Sequence, residues 1–504
     1  MSVLNVERGL PGLEHVTSPA RPSVPEDPYL VMGTGHAGRA AAKELSDRSG
    51  AAAVLVCDDL VGTEIRRVRR SLAKSGIEFT DEPVRALDRV RCVVKSPGIP
   101  MDHAVIEAAG RRDVPVIDEF ELGWRLSRQP VIAVTGTDGK STTATLVVSA
   151  LGASGGNPLL AGNVDGFRRC PPMCEVPPDH AGWVVAEVSS YQAEACPRFL
   201  PSAAVLTNLT EAHLGRHGSM AAYAAAKRGL FVRGDRAVSL AVLNADDPFG
   251  RRLTDEVRER GGRVLTFGVA EDADVRIRRC DSRLRGATVE LEALGDAIEL
   301  ETRLPGAHNA ANAAGVLALS EGLGLDRDRT LAALAASDPV PGRFDPVDEG
   351  QPFDVIVDFG HTPAGIARTL VAARELVARR GGRVILVLGK VGASYAAYRD
   401  AIGRAARAGS DHLIICSSSL RGEPPLLEVA GIAAGARKAD GGEVEVVLDR
   451  RKAIARALSA AEPGDLVAIL GRGGRRRMTY DTKGPAGTFD DREVAGELLR
   501  EMGW

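Results

Sequence analysis

At 504 residues the chain is too long for a single hydrophobic core, and division into about three domains is expected. With 44% apolar residues, 26% charged residues and a net charge of −3, it has the balance of a globular protein and no basic excess for nucleic acid or a membrane surface. No apolar run is long enough to span a bilayer, residues 1–28 lack the apolar core of a signal peptide, and seven scattered cysteines fit reduced thiols, so a cytoplasmic protein is expected.

Residues 1–28 are rich in proline and polar residues without periodicity and are expected to form a disordered tail. A strand over Tyr29 to Met32 then enters Gly33-Thr34-Gly35-His36-Ala37-Gly38, followed by a helix and a second apolar strand, Ala52 to Cys57, ending at Asp58. A GxGxxG turn with an acidic residue 25 positions after its first glycine points to a dinucleotide or nucleoside-diphosphate site. Glycines required only for packing a helix on a strand would leave the same pattern. A further strand, Cys92 to Lys95, runs into the turn Ser96-Pro97-Gly98, and the alternation of strands and helices through residue 127 predicts a doubly wound, Rossmann-like unit.

The second unit, residues 128–340, opens on Val131 to Thr145, VIAVTGTDGKSTTAT. A β-branched strand meets Gly136, Thr137, Asp138, Gly139, Lys140, Ser141 and Thr142 and then a helix, which is the geometry that wraps backbone N–H groups around phosphate oxygens. Lys140 is expected on the β- and γ-phosphates and the Ser141 hydroxyl on Mg²⁺. The loop is shorter than the usual phosphate-binding pattern, since Val134 stands where another glycine would fall. One strand later comes Glu187-Val188-Ser189-Ser190-Tyr191-Gln192, placing Glu187 where a carboxylate can reach the same cation. The next strand ends before His213, at the same edge of the sheet, and Lys227 follows in a helical segment. Only nine of the 64 basic residues are Lys, so a Lys at a chemical position carries extra information. Residues 272–303 are expected to form an antiparallel excursion, and Asn309 and Asn312 share one face of the helix that follows. Ser337 to Arg343 reads as a linker into a third α/β unit, residues 341–504, with strands at Asp354 to Asp358, Arg383 to Leu388, His412 to Cys416, Val444 to Leu448 and Asp465 to Leu470.

In order and spacing these motifs resemble the Mur ligase family, which adds amino acids to UDP-N-acetylmuramic acid at the expense of ATP. Thr135 to Thr142, Glu187 to Gln192, Asn208 to His213, His308 to Asn312 and Arg343 carry the resemblance. It implies a UDP-sugar domain, a central ATPase domain and a C-terminal Rossmann-like domain that recruits the amino acid, with ATP and Mg²⁺ as cofactors. By the resemblance, Gly136 to Thr142, Asn309, Asn312, Arg343 and Asp358 bind ATP, and Ser141, Glu187, His213 and Lys227 hold metal. Lys140, His213 and Lys227 would be catalytic, with Lys227 carbamoylated so that it can ligate a cation. Gly33, Gly35, Gly38, Asp58, Ser96, Pro97, Gly98, Asn163, Ser189 and Arg421 would bind the acceptor or the amino acid. The partners implied are a UDP-N-acetylmuramoyl-type acceptor and an amino acid, with no nucleic acid or membrane, and a monomer is expected.

The first domain is most similar to that of the D-glutamate-adding members, which is the expected activity. The third leans toward the diamino-acid-adding members through Asp358 to Pro363 and Phe489 to Arg492. A ligase for another amino acid, including one making a secondary metabolite, and a degenerate nucleotide binder remain alternatives; an oxidoreductase built on Gly33 to Gly38 would leave the second phosphate loop unexplained. Three residues depart from the family pattern: Asp138 for Asn, Ala212 for Asp, and Gly215 for an acidic residue. Asp138 would bring a negative charge to where a triphosphate arrives.

Overall fold

A computed structural model describes residues 10–59, 63–163, 170–389, 393–418, 424–479 and 486–504. Three sheets follow one another along the chain. The first contains five parallel strands, ordered so that Tyr29–Met32 lies between Val54–Cys57 and Cys92–Lys95, with Glu78–Phe79 and Val116–Asp118 at the edges. Each of the three inner strands is buried along its whole length, as the near-continuous apolar sequence of a doubly covered parallel strand requires.

The central sheet has nine strands, with Val131–Thr135 flanked by Val184–Glu187 and Ala203–Leu206. Seven run parallel, and the last of them, Val275–Arg283, begins an antiparallel meander continued by Gly286–Ala293 and Asp296–Thr302. The alternation within Val131–Thr135 divides the core. Ile132 and Val134 pack with the helices Lys140–Ala153 and Ala307–Leu323, whereas Val131 and Ala133 face Phe120, Trp124 and Phe199. Phe120 and Trp124 belong to the helix Glu119–Leu126, which leaves the first sheet and packs both rings edge-on to Phe199, at 4.9 and 5.2 Å. The first and second units are thereby joined by a buried helix.

The third sheet has six strands, in the order Asp345–Pro346, Asp354–Asp358, Leu466–Leu470, Val384–Leu388, His412–Ile415 and Glu443–Val446, all parallel except the first. Mixed α/β architecture with three successive sheets is therefore the fold.

One sequence expectation is corrected. Residues 10–28 are not a loose tail: Val16 is buried in the central core, Trp183 donates its indole N–H to the Pro11 carbonyl, and Arg21 hydrogen-bonds Ser127. A few apolar side chains and main-chain partners suffice to tie down a proline-rich strap that has no periodicity of its own. Further along, Arg236–Ala237 forms a small hairpin with Val232–Arg233, and the chain changes partner before Leu240–Asn244 enters the central sheet.

Candidate active site

The strand Val131–Thr135 delivers the glycine loop to the C-terminal edge of the central sheet, where its glycines are required by contact. Gly136 has φ +148°, and a Cβ there would lie 1.9 Å from Thr207 Oγ1; Gly139 has φ +81°, and its Cβ would meet Asn312 Oδ1 at 2.5 Å. Asn312 accepts from Thr143 Oγ1 at 3.2 Å and donates to Asn309 Oδ1 at 3.1 Å, so both asparagines brace the start of the helix Lys140–Ala153. Lys140 Nζ is folded onto the Thr137 carbonyl at 2.8 Å. The Ser141 hydroxyl donates to Glu187 Oε2 at 2.6 Å, and both side chains are buried. A hydroxyl and a carboxylate paired at a helix N-terminus form a hard-oxygen donor set that suits Mg²⁺ sharing its shell with phosphate and water. Among the described residues, no cluster of three or more His, Cys, Asp or Glu side chains would hold a metal unaided.

Lys227 is 1% exposed and donates to the Gly136 carbonyl at 2.7 Å and to Thr135 Oγ1 at 3.2 Å. Burial, then the charge of Lys140, push its pKa well below the usual lysine value, with Glu187 opposing. His213 sits in the left-handed region, φ +57°, and its Nδ1 lies 3.0 Å from the Tyr191 hydroxyl. Tyr223 touches both sites: its ring lies 5.9 Å from that of His213 and 4.9 Å from Lys227 Nζ. Lys140, Ser141, Glu187, His213, Tyr223 and Lys227 line one cleft of about 470 Å³, closed on its far side by residues of the third domain.

Two family patterns match the chain, the Mur ligase middle domain over residues 134–320 and the Mur ligase glutamate ligase domain over residues 342–473. A UDP-N-acetylmuramoyl-L-alanyl-D-glutamate--2,6-diaminopimelate ligase of Solibacter usitatus is 35% identical over 416 residues, covering 78% of this chain and 82% of that protein. The chain belongs to the Mur ligase family. A ligase of the same name from Geobacillus kaustophilus is 30% identical over 455 residues, 85% of this chain and 90% of the relative. Solved structures share the fold: the UDP-N-acetylmuramate-alanine ligase of Thermotoga maritima has a TM-score of 0.59 at 22% identity, covering 95% of this chain and 99% of that one. MurF of Acinetobacter baumannii has a TM-score of 0.58 at 15% identity, covering 94% and 93%. Family membership makes this Mur ligase an ATP-dependent acid–amino-acid ligase.

The third-domain wall of the Mur ligase cleft is built by the linker and by the helix Pro363–Ala378. Asp358 accepts from the N–H groups of Phe344 and Gly360 and from Thr369 Oγ1, at 2.7 to 3.0 Å, so its carboxylate fixes the turn that presents Arg343. Arg343 lies 3.5 Å from Ser141 Oγ and stacks 4.2 Å from the Phe359 ring, on which Arg475 also stacks at 4.7 Å. Asp138 forms an ion pair with Arg368 of the same wall.

From the first domain, the structure brings Pro97 and Gly98 to the cleft and leaves Gly33, Gly35, Gly38, Asp58 and Ser96 outside its lining. Asp58 accepts from the N–H and hydroxyl of Thr34, at 2.5 and 2.6 Å, and so braces the glycine turn itself. Cβ atoms on Gly33 or Gly38 would collide with Ser96 Oγ at 2.6 and 2.7 Å, and that hydroxyl is buried without a hydrogen-bond partner. Asn163 and Ser189 reach the cleft, Asn163 through its N–H on the Glu187 carbonyl, Ser189 as the cap of Ser190–Ala193. Arg421 lies outside the described residues.

Sequence reasoning gave no site role to Tyr223, Phe359, His361, Arg368 and Arg475, which also line the cleft, and quoted His308 there only as the start of the His308 to Asn312 motif. Phe359 and His361 lay within a recognised motif; Arg368 and Arg475 are two among many arginines, and only the packing of the third domain distinguishes them.

Proposed function

We propose that this Mur ligase adds an amino acid to a UDP-N-acetylmuramoyl-peptide acceptor in peptidoglycan precursor synthesis, in the cytoplasm. The acceptor carboxylate attacks the γ-phosphorus of ATP, the bond to the β,γ-bridging oxygen breaks, and ADP leaves. The amine of the incoming amino acid then attacks the acyl carbon to form the C–N bond, the acyl C–O bond breaks with its electron pair leaving on phosphate, and the amine's proton passes to solvent. The observation that carries the reading is the single cleft in which the glycine loop, the Ser141–Glu187 pair, Lys227 and a cationic third-domain wall converge.

Each residue then has a role in placing or neutralising negative charge, the main task in phosphoryl transfer. Lys140 leaves the Thr137 carbonyl for the transferring phosphoryl, and Arg343 approaches from the linker. Ser141 and Glu187 would hold Mg²⁺, with His213 and Lys227 available to a second ion, and the cation would supply Lewis-acid neutralisation of the phosphates. Burial favours the neutral form of Lys227, the form that captures CO₂ as a carbamate. The unpartnered Ser96 hydroxyl beside the Gly33 to Gly38 turn is available to the diphosphate of the acceptor. All seven cysteines are free thiols, in keeping with a reducing compartment, and among the described residues no helix is long and apolar enough to cross a membrane.

For the amino acid, the names of the relatives favour a diamino acid such as diaminopimelate over the D-glutamate expected from the first domain. One observation favours an acidic amino acid as a second reading: Arg343 and Arg475 make the third-domain wall cationic where they flank Phe359. A phosphate-release assay with meso-diaminopimelate, L-Lys and D-Glu, each against UDP-N-acetylmuramoyl-L-alanine and its D-glutamyl extension, decides between them. Release with meso-diaminopimelate on the longer acceptor is the expected result; no release with any pair would remove the ligase reading.

A further inference from the structure

The negative charge of Asp138 has a partner that the central domain does not contain. Its backbone is fixed within that domain: the N–H donates to Asn208 Oδ1 at 3.0 Å, and the carbonyl accepts from Thr207 Oγ1 at 2.6 Å and Asn208 Nδ2 at 3.1 Å. With the main chain clamped, the side chain reaches across the cleft, where Oδ2 accepts from Arg368 Nη2. Its other oxygen lies 3.5 Å from the position a Cβ would take on Gly365, in the first turn of the 16-residue helix Pro363–Ala378. Guanidinium and helix N-terminus therefore both meet the carboxylate with positive potential. The two side chains are only 26% and 34% exposed, which reduces solvent screening of the pair. Both residues line the same cleft as Lys140 and Ser141.

We propose that the nucleotide site of this ligase is gated by domain closure: Asp138 gives the open phosphate loop a charge that repels the triphosphate, and Arg368, brought by the third domain, cancels it. The inference rests on the ligase reading for its nucleotide. Arg368 is thus a positioning residue for phosphate binding, acting through Asp138. In the open state the net-negative Mg²⁺-bound triphosphate approaches a further negative charge; in the closed state it approaches a neutral pair beside Lys140 and Arg343. The asparagine of the family pattern would need no such partner, so the charge and its counter-charge belong together in this chain.

The test is a charge-rescue cycle on the full-length protein, reading binding of a fluorescent ATP analogue with Mg²⁺ together with KM and kcat for phosphate release. Arg368→Gln should weaken nucleotide binding and raise the KM for ATP about 10-fold, with a smaller change in kcat. Asp138→Asn in the Arg368→Gln background should bring nucleotide binding back to within about 3-fold of the parent protein. Circular-dichroism melting of each variant separates misfolding from loss of charge balance, and Arg368→Lys, which keeps the charge, should retain most of the affinity. If Arg368→Gln binds nucleotide as the parent does, or if removing the Asp138 charge fails to restore it, the gating proposal is wrong while the ligase reading stands. If the parent protein binds no nucleotide, both fall.

Discussion

The chain contains two glycine turns of the same local design, strand, turn and helix N-terminus, and their fates differ. In the first domain the turn from Gly33 to Gly38 is closed by its own neighbours: Asp58 holds Thr34, Ser96 lies against Gly33 and Gly38, and a Cβ on Gly38 would come 1.9 Å from the Gly33 carbonyl. In the central domain the turn from Gly136 to Thr142 is braced from behind by Thr207, Asn208 and Asn312 and leaves Lys140 and Ser141 facing a cleft. The difference lies in which side of the turn the supporting side chains occupy. A glycine pattern reports a close approach; whether protein or ligand makes that approach depends on the neighbours.

The comparison can be broken most severely at Lys140. Lys140→Ala should reduce ATP-dependent phosphate release by about 10³-fold or more while leaving UDP-acceptor binding, measured by calorimetry, within a few-fold. A smaller loss follows at the residue beneath the loop. Lys227→Ala removes the donor to the Gly136 carbonyl and should lower activity about 10²-fold, with partial recovery on adding short carboxylic acids that mimic a carbamate; absence of recovery would argue for a purely structural lysine.

In the closed turn the loss should be one of stability. Gly38→Ala should destabilise the first domain by about 2 to 3 kcal/mol in urea unfolding, a loss of stability that Lys140→Ala should not show. The smallest effect is expected at the helix that joins the two turns' domains. Glu119 is fully buried, and burial raises its pKa from 4.5 to about 8, against the hydrogen bond from the Cys174 N–H. A raised folded-state pKa means that this contribution to stability is complete below about pH 4.5 and is lost as pH rises through 8. Glu119→Gln, which cannot ionise, should therefore flatten the fall in melting temperature between pH 5 and 9 and raise it by about 2 to 4 °C at pH 9; identical pH profiles for the two proteins would refute the assignment.

Much of this was legible in the chain because it is local. Val131 to Ser141 reads as a strand meeting a phosphate loop since β-branched residues, glycines and Lys-Ser follow one another without interruption. Glu187 could be assigned to the same edge because parallel strands end on the same side of a sheet. Asp58 illustrates the limit. At the tip of a second strand it has the position of a ligand contact, yet Thr34 lies within hydrogen-bond distance and takes its carboxylate, a fact set by the register of Tyr29–Met32 against Val54–Cys57. Residues 10–28 show the same limit in packing, for a strap without periodicity is ordered only by the surface beneath it.

The sequence by itself determined the order of domains, the phosphate loop and the family, since each is written in contiguous motifs whose backbone geometry admits few alternatives. Only the tertiary structure decided that Arg368 and Arg475 join Arg343 in completing the cleft and that Asp138 is balanced across a domain boundary. Those residues are 202 and 230 positions from the groups they meet, as in Arg343 with Ser141 and Arg368 with Asp138. Electrostatic partnership depends on distance in space, and the folding of a third domain onto a second sets that distance.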